Sequence, residues 1–217
     1  RTLRIESIAA GGAGVAHHEG RAVFVPRTAP GDLVLASIEP GGATQRGRLL
    51  RVIEPGPDRV APACRFVEAC GGCDLMHLSA EAQRAAHRDI VLESFRRIAG
   101  DLVTHAVPDP GAVTGADPGA PLAYRTRARL HARAHRGRIE VGYHAPGSHD
   151  LTRVDHCAVL VPELDALLTE LPAVLQGATG AGEISGARGA SALPVLDLTV
   201  DGALPPAQGA RLDDRVT

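Results

Sequence analysis

The chain has no lysine: all 23 of its basic residues are arginine. A bias this complete reflects coding composition as readily as a ligand, so arginine richness alone does not argue for nucleic acid. Aromatic residues are only 2% of the chain, namely Phe24, Phe66, Phe95, Tyr124 and Tyr143. Any core must therefore be built from Ala, Val, Leu and Ile, and a binding face has few rings to offer. No apolar run approaches the ~18 residues that a membrane-spanning helix needs. Four cysteines in 217 residues, with no secretory signal, argue against a disulfide scaffold. The first residue is Arg1 rather than Met, which fits a fragment or a processed product.

Charge of either sign is nearly balanced, with a net value of −2. Its distribution is uneven. Residues 1–149 carry 19 Arg against 15 acids, a net +4, and residues 150–217 carry 4 Arg against 10 acids, a net −6. Such asymmetry marks a binding face or an ordinary solvated surface equally well.

What the chain does have is a tight C-x5-C-x2-C, made by Cys64, Cys70 and Cys73, with a fourth cysteine at Cys157. Three thiolates this close in sequence can converge on one inorganic centre, and a distant fourth would close it. Gly71 and Gly72 remove both Cβ atoms inside the C-x2-C, which lets backbone N–H groups turn toward sulfur. The spacing serves an iron–sulfur cluster and a structural Zn(Cys)4 site alike. His77, His149 and His156 lie near these cysteines, and a hydrogen-bonded structural role is expected for each.

Around this motif the chain divides into an α+β arrangement that is mainly β. Residues 1–56 hold short β-rich runs (Leu3–Ile8, Ala22–Val25, Asp32–Ile38, Arg48–Ile53) separated by Gly and Pro turn signals, which predicts a small barrel. Residues 57–100 hold the Cys-rich loop and then a helix. Ser79 caps that helix, Val91, Phe95 and Ile98 form its apolar stripe, and Gly100 ends it. Residues 101–121 read as a Pro/Gly-rich linker. Residues 122–217 read as a second, partial β-rich domain. The Gly-rich run 180–186 misses G-x-G-x-x-G and follows a helix, so a surface loop is expected there. A helix is expected over 161–176, with a stripe of Leu164, Leu167, Leu168 and Leu171, and a strand over Ala192–Val200.

From Arg125 to His135 the chain alternates strictly. Arg125, Arg127, Arg129, His131, Arg133 and His135 face one way and small apolar residues the other. Arg136-Gly137 predicts a tight turn into a returning strand. An ordinary solvated face of a half-buried antiparallel sheet explains this pattern. Four arginines with no acid among them favour a polyanion site, with Arg125, Arg127, Arg129 and Arg133 as RNA-binding candidates.

These stretches resemble the iron–sulfur-containing RNA uracil-5-methyltransferases, S-adenosylmethionine-dependent enzymes that modify rRNA or tRNA. Residues 11–38, GGAGVAHHEGRAVFVPRTAPGDLVLASI, are similar to the TRAM domain, an OB-like RNA-binding barrel. Residues 59–83, RVAPACRFVEACGGCDLMHLSAEAQ, are similar to the cluster loop and the helix that follows. Residues 124–131, YRTRARLH, and 141–157, VGYHAPGSHDLTRVDHC, are similar to the central domain that delivers the fourth cysteine.

The resemblance implies that Cys64, Cys70, Cys73 and Cys157 ligate a [4Fe–4S] cluster. It also implies a C-terminal S-adenosylmethionine-binding domain with a Cys nucleophile and an acidic base. No cysteine follows Cys157, so this chain is expected to be the recognition portion, inactive alone. A monomeric, cytoplasmic protein that binds RNA and no membrane is expected. The rival readings are a non-catalytic RNA-binding module and a zinc-stabilised structural protein.

Overall fold

The computed structural model describes residues 1–100, 122–189 and 194–202. It has two compact units: one gathers Arg1–Ala63 and Cys73–Pro118, the other Cys64–Gly72 and Gly119–Thr217. The fold is α+β and mainly β, with two helices and two sheets among the described residues. No described helix is long and apolar enough to cross a membrane.

The first unit is a curled six-stranded sheet. Its strands are β1 (Thr2–Arg4), β2 (Ser7–Ile8), β3 (Gly14–His18), β4 (Arg21–Val25), β5 (Leu33–Ile38) and β6 (Thr44–Glu54), in the order β1-β5-β6-β4-β3-β2. All neighbours are antiparallel except the parallel pair β4–β6. Two register shifts between β5 and β6 bend the sheet, as bulges do. Curvature closes it over Leu3, Ile5, Ala16, Val23, Val25, Val34 and Ala36. These are the small aliphatic side chains that the shortage of aromatics requires.

Two strand expectations need correction. The run Leu3–Ile8 is split into β1 and β2, because Ile5 leaves the ladder to exchange hydrogen bonds with Gly31 and Asp32. The strand β3 lies outside the expected runs, between the positive-φ pair Gly11-Gly12 and Glu19-Gly20, a two-residue turn with φ of 51° and 73° that joins it to β4.

Helix α1 (Ala80–Ala99) begins at Ser79, whose hydroxyl accepts from Ala82 N at 3.2 Å, and ends at Gly100, φ 53°. Its buried residues are Ala86 and Leu92. Ala86 packs with Ala29, Leu75 and Leu78, against Ile8 and Ala82. The expected stripe is exposed instead: Val91 42%, Phe95 53% and Ile98 86%. At 100° per residue, 91, 95 and 98 lie roughly opposite the 82/86 face, and the first unit covers only the latter.

The second unit is an antiparallel sheet of β7 (Arg127–His135), β8 (Arg138–His144), β9 (Leu151–Arg153), β10 (Ala181–Arg188) and β11 (Pro194–Asp201), in the order β11-β10-β7-β8-β9. Arg136 and Gly137, φ 50° and 74°, make the tight β7–β8 turn. Helix α2 (Pro162–Val174) packs Leu164, Leu168 and Leu171 against Leu130, Ala132, Val141 and Ile184. Leu167 is partly buried against the same core.

The Gly-rich run is not a loop. Residues 181–188 form β10, paired to β7 on one side and β11 on the other. Period-2 alternation was the signal there. Ile184 is buried, and Gly186 packs its backbone beneath Leu196 and Leu164. The start of the Arg-rich strand also moves. β7 begins at Arg127, while Arg125 forms an isolated bridge to Leu160, its N–H bonding Val159 O at 2.7 Å. The expected linker at 101–121 lies outside the described residues, as do Ala192 and Leu193.

Candidate metal centre and nucleic-acid face

None of the four cysteines forms a disulfide, and all are partly buried. Three belong to the second unit. Its loop from Cys64 to Gly72 is a compact turn, with Val67 N, Ala69 N and Cys70 N donating to Cys64 O, Phe66 O and Phe66 O respectively. Three contacts fasten the loop to the sheet. Gly71 N donates to His144 O at 2.9 Å. Thr152 Oγ1 donates to Ala69 O at 2.7 Å. Phe66 packs against the leucine core. A Cβ on Gly71 would lie 2.8 Å from His144 O, so glycine is needed for this close approach. Arg65 adds an exposed ion pair with Asp155 and lies over the Phe66 ring.

Cys157 is held from α2. Asp165, in the first turn of that helix, accepts from Cys157 N at 2.6 Å through Oδ1 and contacts His156 Nδ1 at 2.7 Å through Oδ2. Gly72 N points at Cys70 Sγ, 3.4 Å away, the kind of amide-to-sulfur contact that supports a thiolate ligand. The Tyr143 hydroxyl is buried without a hydrogen bond of good geometry. Burial above all, then the neighbouring Cys157, raises the phenol far above its ordinary pKa, with Arg125 opposing and Cys70 adding to the rise. Thus Cys70 and Cys157 both lie near enough to the buried Tyr143 hydroxyl to raise its pKa.

Cys73 belongs to the first unit, where a buried polar network holds it. Arg27 Nη1 donates to Cys73 O at 2.8 Å. Arg59 Nη2 donates to Arg27 O at 2.9 Å and to Asp32 Oδ2 at 2.5 Å. Asp32 is fully buried and also accepts from Ala29 N and Gly56 N, each at 2.7 Å. Burial pushes its carboxyl up, but hydrogen bonds from Arg59, Gly56 and Ala29, with the guanidinium charge, outweigh this and hold it below the usual range.

His77 is buried, with Nε2 2.9 Å from Thr28 O. Burial chiefly keeps it neutral, so Nε2–H is the donor and Nδ1 stays unpartnered. Two of the three histidines expected to be hydrogen-bonded make such contacts, His77 here and His156 with Asp165; His149 instead lies edge-on to His144 at 5.2 Å.

Cysteine sulfur is a donor that iron and zinc both accept, and Gly72 N supplies one amide contact to Cys70 Sγ. Among the described residues, no three His, Cys, Asp or Glu side chains are grouped closely enough to hold a metal ion.

The alternation of β7 is as expected. Leu130 and Ala132 are buried and Arg127, Arg129, Arg133 and His135 exposed. The partner strands, however, bring acids to the cationic face. Arg129 pairs with Glu183 of β10 at 2.7 Å and Arg133 with Glu140 of β8 at 3.1 Å. Among the described residues Arg127 has no such acid. Arg125, half-buried, lies 3.5 Å from Gly72 O. His131 and His144 stack on the same face, centroids 3.7 Å apart and planes at 10°. Burial first, then His144, lowers the pKa of His131. Neither the acids nor the stack is legible in the strand itself, because both depend on the register of β8 and β10.

No protein-family model matches the chain. It is 36% identical over 177 residues, 80% of its length, to a 23S rRNA (uracil(1939)-C(5))-methyltransferase RlmD of Pseudomonas putida, and covers 38% of that protein. Proteins of the same name from Methylococcus capsulatus (37% over 176 residues, 80% of this chain and 38% of the relative) and Halomonas elongata (39% over 175 residues, 79% and 34%) are similar to the same extent. The chain is therefore a homologue, over four fifths of its length, of proteins named 23S rRNA uracil-C5-methyltransferases, and spans less than two fifths of theirs.

Proposed function

We propose that this chain is the RNA-recognition and cluster-binding portion of an S-adenosylmethionine-dependent rRNA uracil-5-methyltransferase. The observation that carries this reading is its identity to 23S rRNA methyltransferases over four fifths of its length. The first unit serves as the TRAM-like barrel. Cys64, Cys70, Cys73 and Cys157 hold a [4Fe–4S] cluster, which when bound supplies four iron–thiolate bonds that cross-link distant parts of the chain. The protein's own contribution is to keep the sulfurs partly dry and to hold the Cys70 and Cys157 backbones through Phe66 O and Asp165. Methyl transfer to C5 of uracil requires a thiolate to add at C6. With all four cysteines on the cluster, these 217 residues have none to spare, and methylation is assigned to the part of the enzyme that the relatives have in addition.

RNA is read by the exposed face of β7. Arg127, Arg129 and Arg133 stand at every second or fourth position, with a pitch of about 6.6 Å for two residues, and Arg125 precedes them. Guanidinium forks suit phosphate and stack on unpaired bases. Changing Arg127 and Arg129 together to Ala is expected to weaken binding of an rRNA stem-loop. It should also reduce the slope of log K against log salt by about 1.4, for two lost single-strand phosphate contacts. Arg127 should carry the larger share, since Arg129 must first leave Glu183. Filter binding across a salt series, with circular dichroism to confirm folding, decides it. An unchanged affinity and slope would move the RNA site to the barrel.

A further inference from the structure

Arg27 stands in the left-handed region, φ 65°. Glu19, Ala123 and Arg136 also have positive φ; Glu19 and Arg136 are each followed by Gly in a two-residue hairpin turn, and Ala123 has no long side chain to place. Arg27 lies between β4 and β5, where a glycine would relieve the crowding of Cβ against backbone. Strain of this kind persists when the surrounding structure over-determines it and the side chain is needed.

What glycine would lack is the guanidinium. Its Nη1 reaches across 46 positions of sequence to Cys73 O. The backbone of Arg27 is gripped in turn, its carbonyl accepting from Arg59, which Asp32 anchors in the interior of the first unit. Just beyond Cys73 the chain is fixed again. Gly12 is so close to Asp74 that a Cβ would come within 2.4 Å of the aspartate Cβ. Leu75 and Leu78 are buried, and His77 bonds Thr28 O.

We infer that Arg27 is a positioning residue for Cys73: its strained backbone aims a guanidinium that fixes the Cys73 peptide to the barrel, so that the barrel sets where that thiolate is presented. The inference rests on the proposed cluster-ligand role of Cys73.

Arg27→Gly removes guanidinium and strain together, and Arg27→Lys keeps a cationic donor in the strained turn. In metal-free protein, Arg27→Gly is expected to melt no lower than wild type, because the strain is relieved. Yet iodoacetamide should alkylate Cys73 about tenfold faster, the loss of one charge-assisted hydrogen bond, with Cys157 unchanged, read cysteine by cysteine by mass spectrometry. Arg27→Lys should return most of the protection. In anaerobically loaded protein, the brown chromophore of Arg27→Gly should fade in air faster by a similar factor. A merely structural residue would instead lower the melting temperature and quicken all four cysteines alike. Unchanged Cys73 alkylation in Arg27→Gly, or the uniform pattern, overturns the inference. A wild-type chain that takes up no iron overturns the cluster reading, and the alkylation experiment still decides the role of Arg27.

Discussion

Replacing Asp32 with Asn is expected to destabilise the first unit by about 3–5 kcal/mol, the range for breaking one partner of a buried ion pair. The reason lies in what the carboxylate satisfies. It is fully buried and accepts from Ala29 N, Gly56 N, and both Nε and Nη2 of Arg59. All four are donors. An amide in its place must turn its NH2 toward at least one of them, whichever way it flips, and leaves the largely buried Arg59 guanidinium without its counter-charge.

Urea denaturation followed by circular dichroism measures the loss. A double-mutant cycle with Arg59→Met separates the pair from the rest, because removing both charges should cost less than the sum of the two single changes. A loss under 1 kcal/mol would mean that water reaches the pair.

The pH dependence has a definite sign. The folded-state pKa of Asp32 is depressed from its ordinary value of 3.8. Its contribution is therefore complete above the unfolded pKa, near 4, and disappears as pH falls through the lower folded value. Between these two values wild type should lose this contribution progressively. The Asn variant should lose this steep segment of its acid-unfolding curve while retaining the slopes that come from other carboxylates.

Features of the fold set by neighbours in sequence were legible beforehand. The helix α1 was bounded correctly because its signals are local: a Ser79 hydroxyl that accepts from the N–H three residues on, and a glycine at Gly100. The β7 alternation and the Arg136-Gly137 turn were legible for the same reason. Readings failed where a second element decides the outcome. The Val91, Phe95 and Ile98 stripe is periodic, yet the first unit covers the face of Ala82 and Ala86 instead. Glycine content masked β10, whose burial is supplied by α2 and β11. The acids that pair with Arg129 and Arg133 come from strands that register alone brings alongside. The link from Arg27 to Cys73 spans 46 positions and has no sequence signature at all.

For the cysteines the expected result is a colour. Anaerobically purified chain should be brown and contain about four iron and four sulfide per molecule, the composition of a cube held by four thiolates. Cys70→Ser and Cys73→Ser should each bleach it. The two variants should differ in what they loosen, since the residues are held by different parts of the fold. Cys70 sits in the turn that Phe66 O caps and whose next residue, Gly71, bonds His144 O. Loss of the metal through Cys70→Ser should therefore raise amide exchange at 64–72 and at β8. Cys73 is tied to Arg27, with Leu75 and Leu78 buried beyond it. That anchorage exists without metal, so exchange at 74–78 should change little in Cys73→Ser. Hydrogen exchange with and without iron reads both regions in one experiment. Stoichiometric zinc without sulfide in anaerobic preparations would replace the cluster with a structural Zn(Cys)4 site, since zinc uses the same ligands. Iron and sulfide that survive Cys157→Ser undiminished would instead remove the distant cysteine from the ligand set and leave Asp165's grip on its backbone as a purely architectural contact.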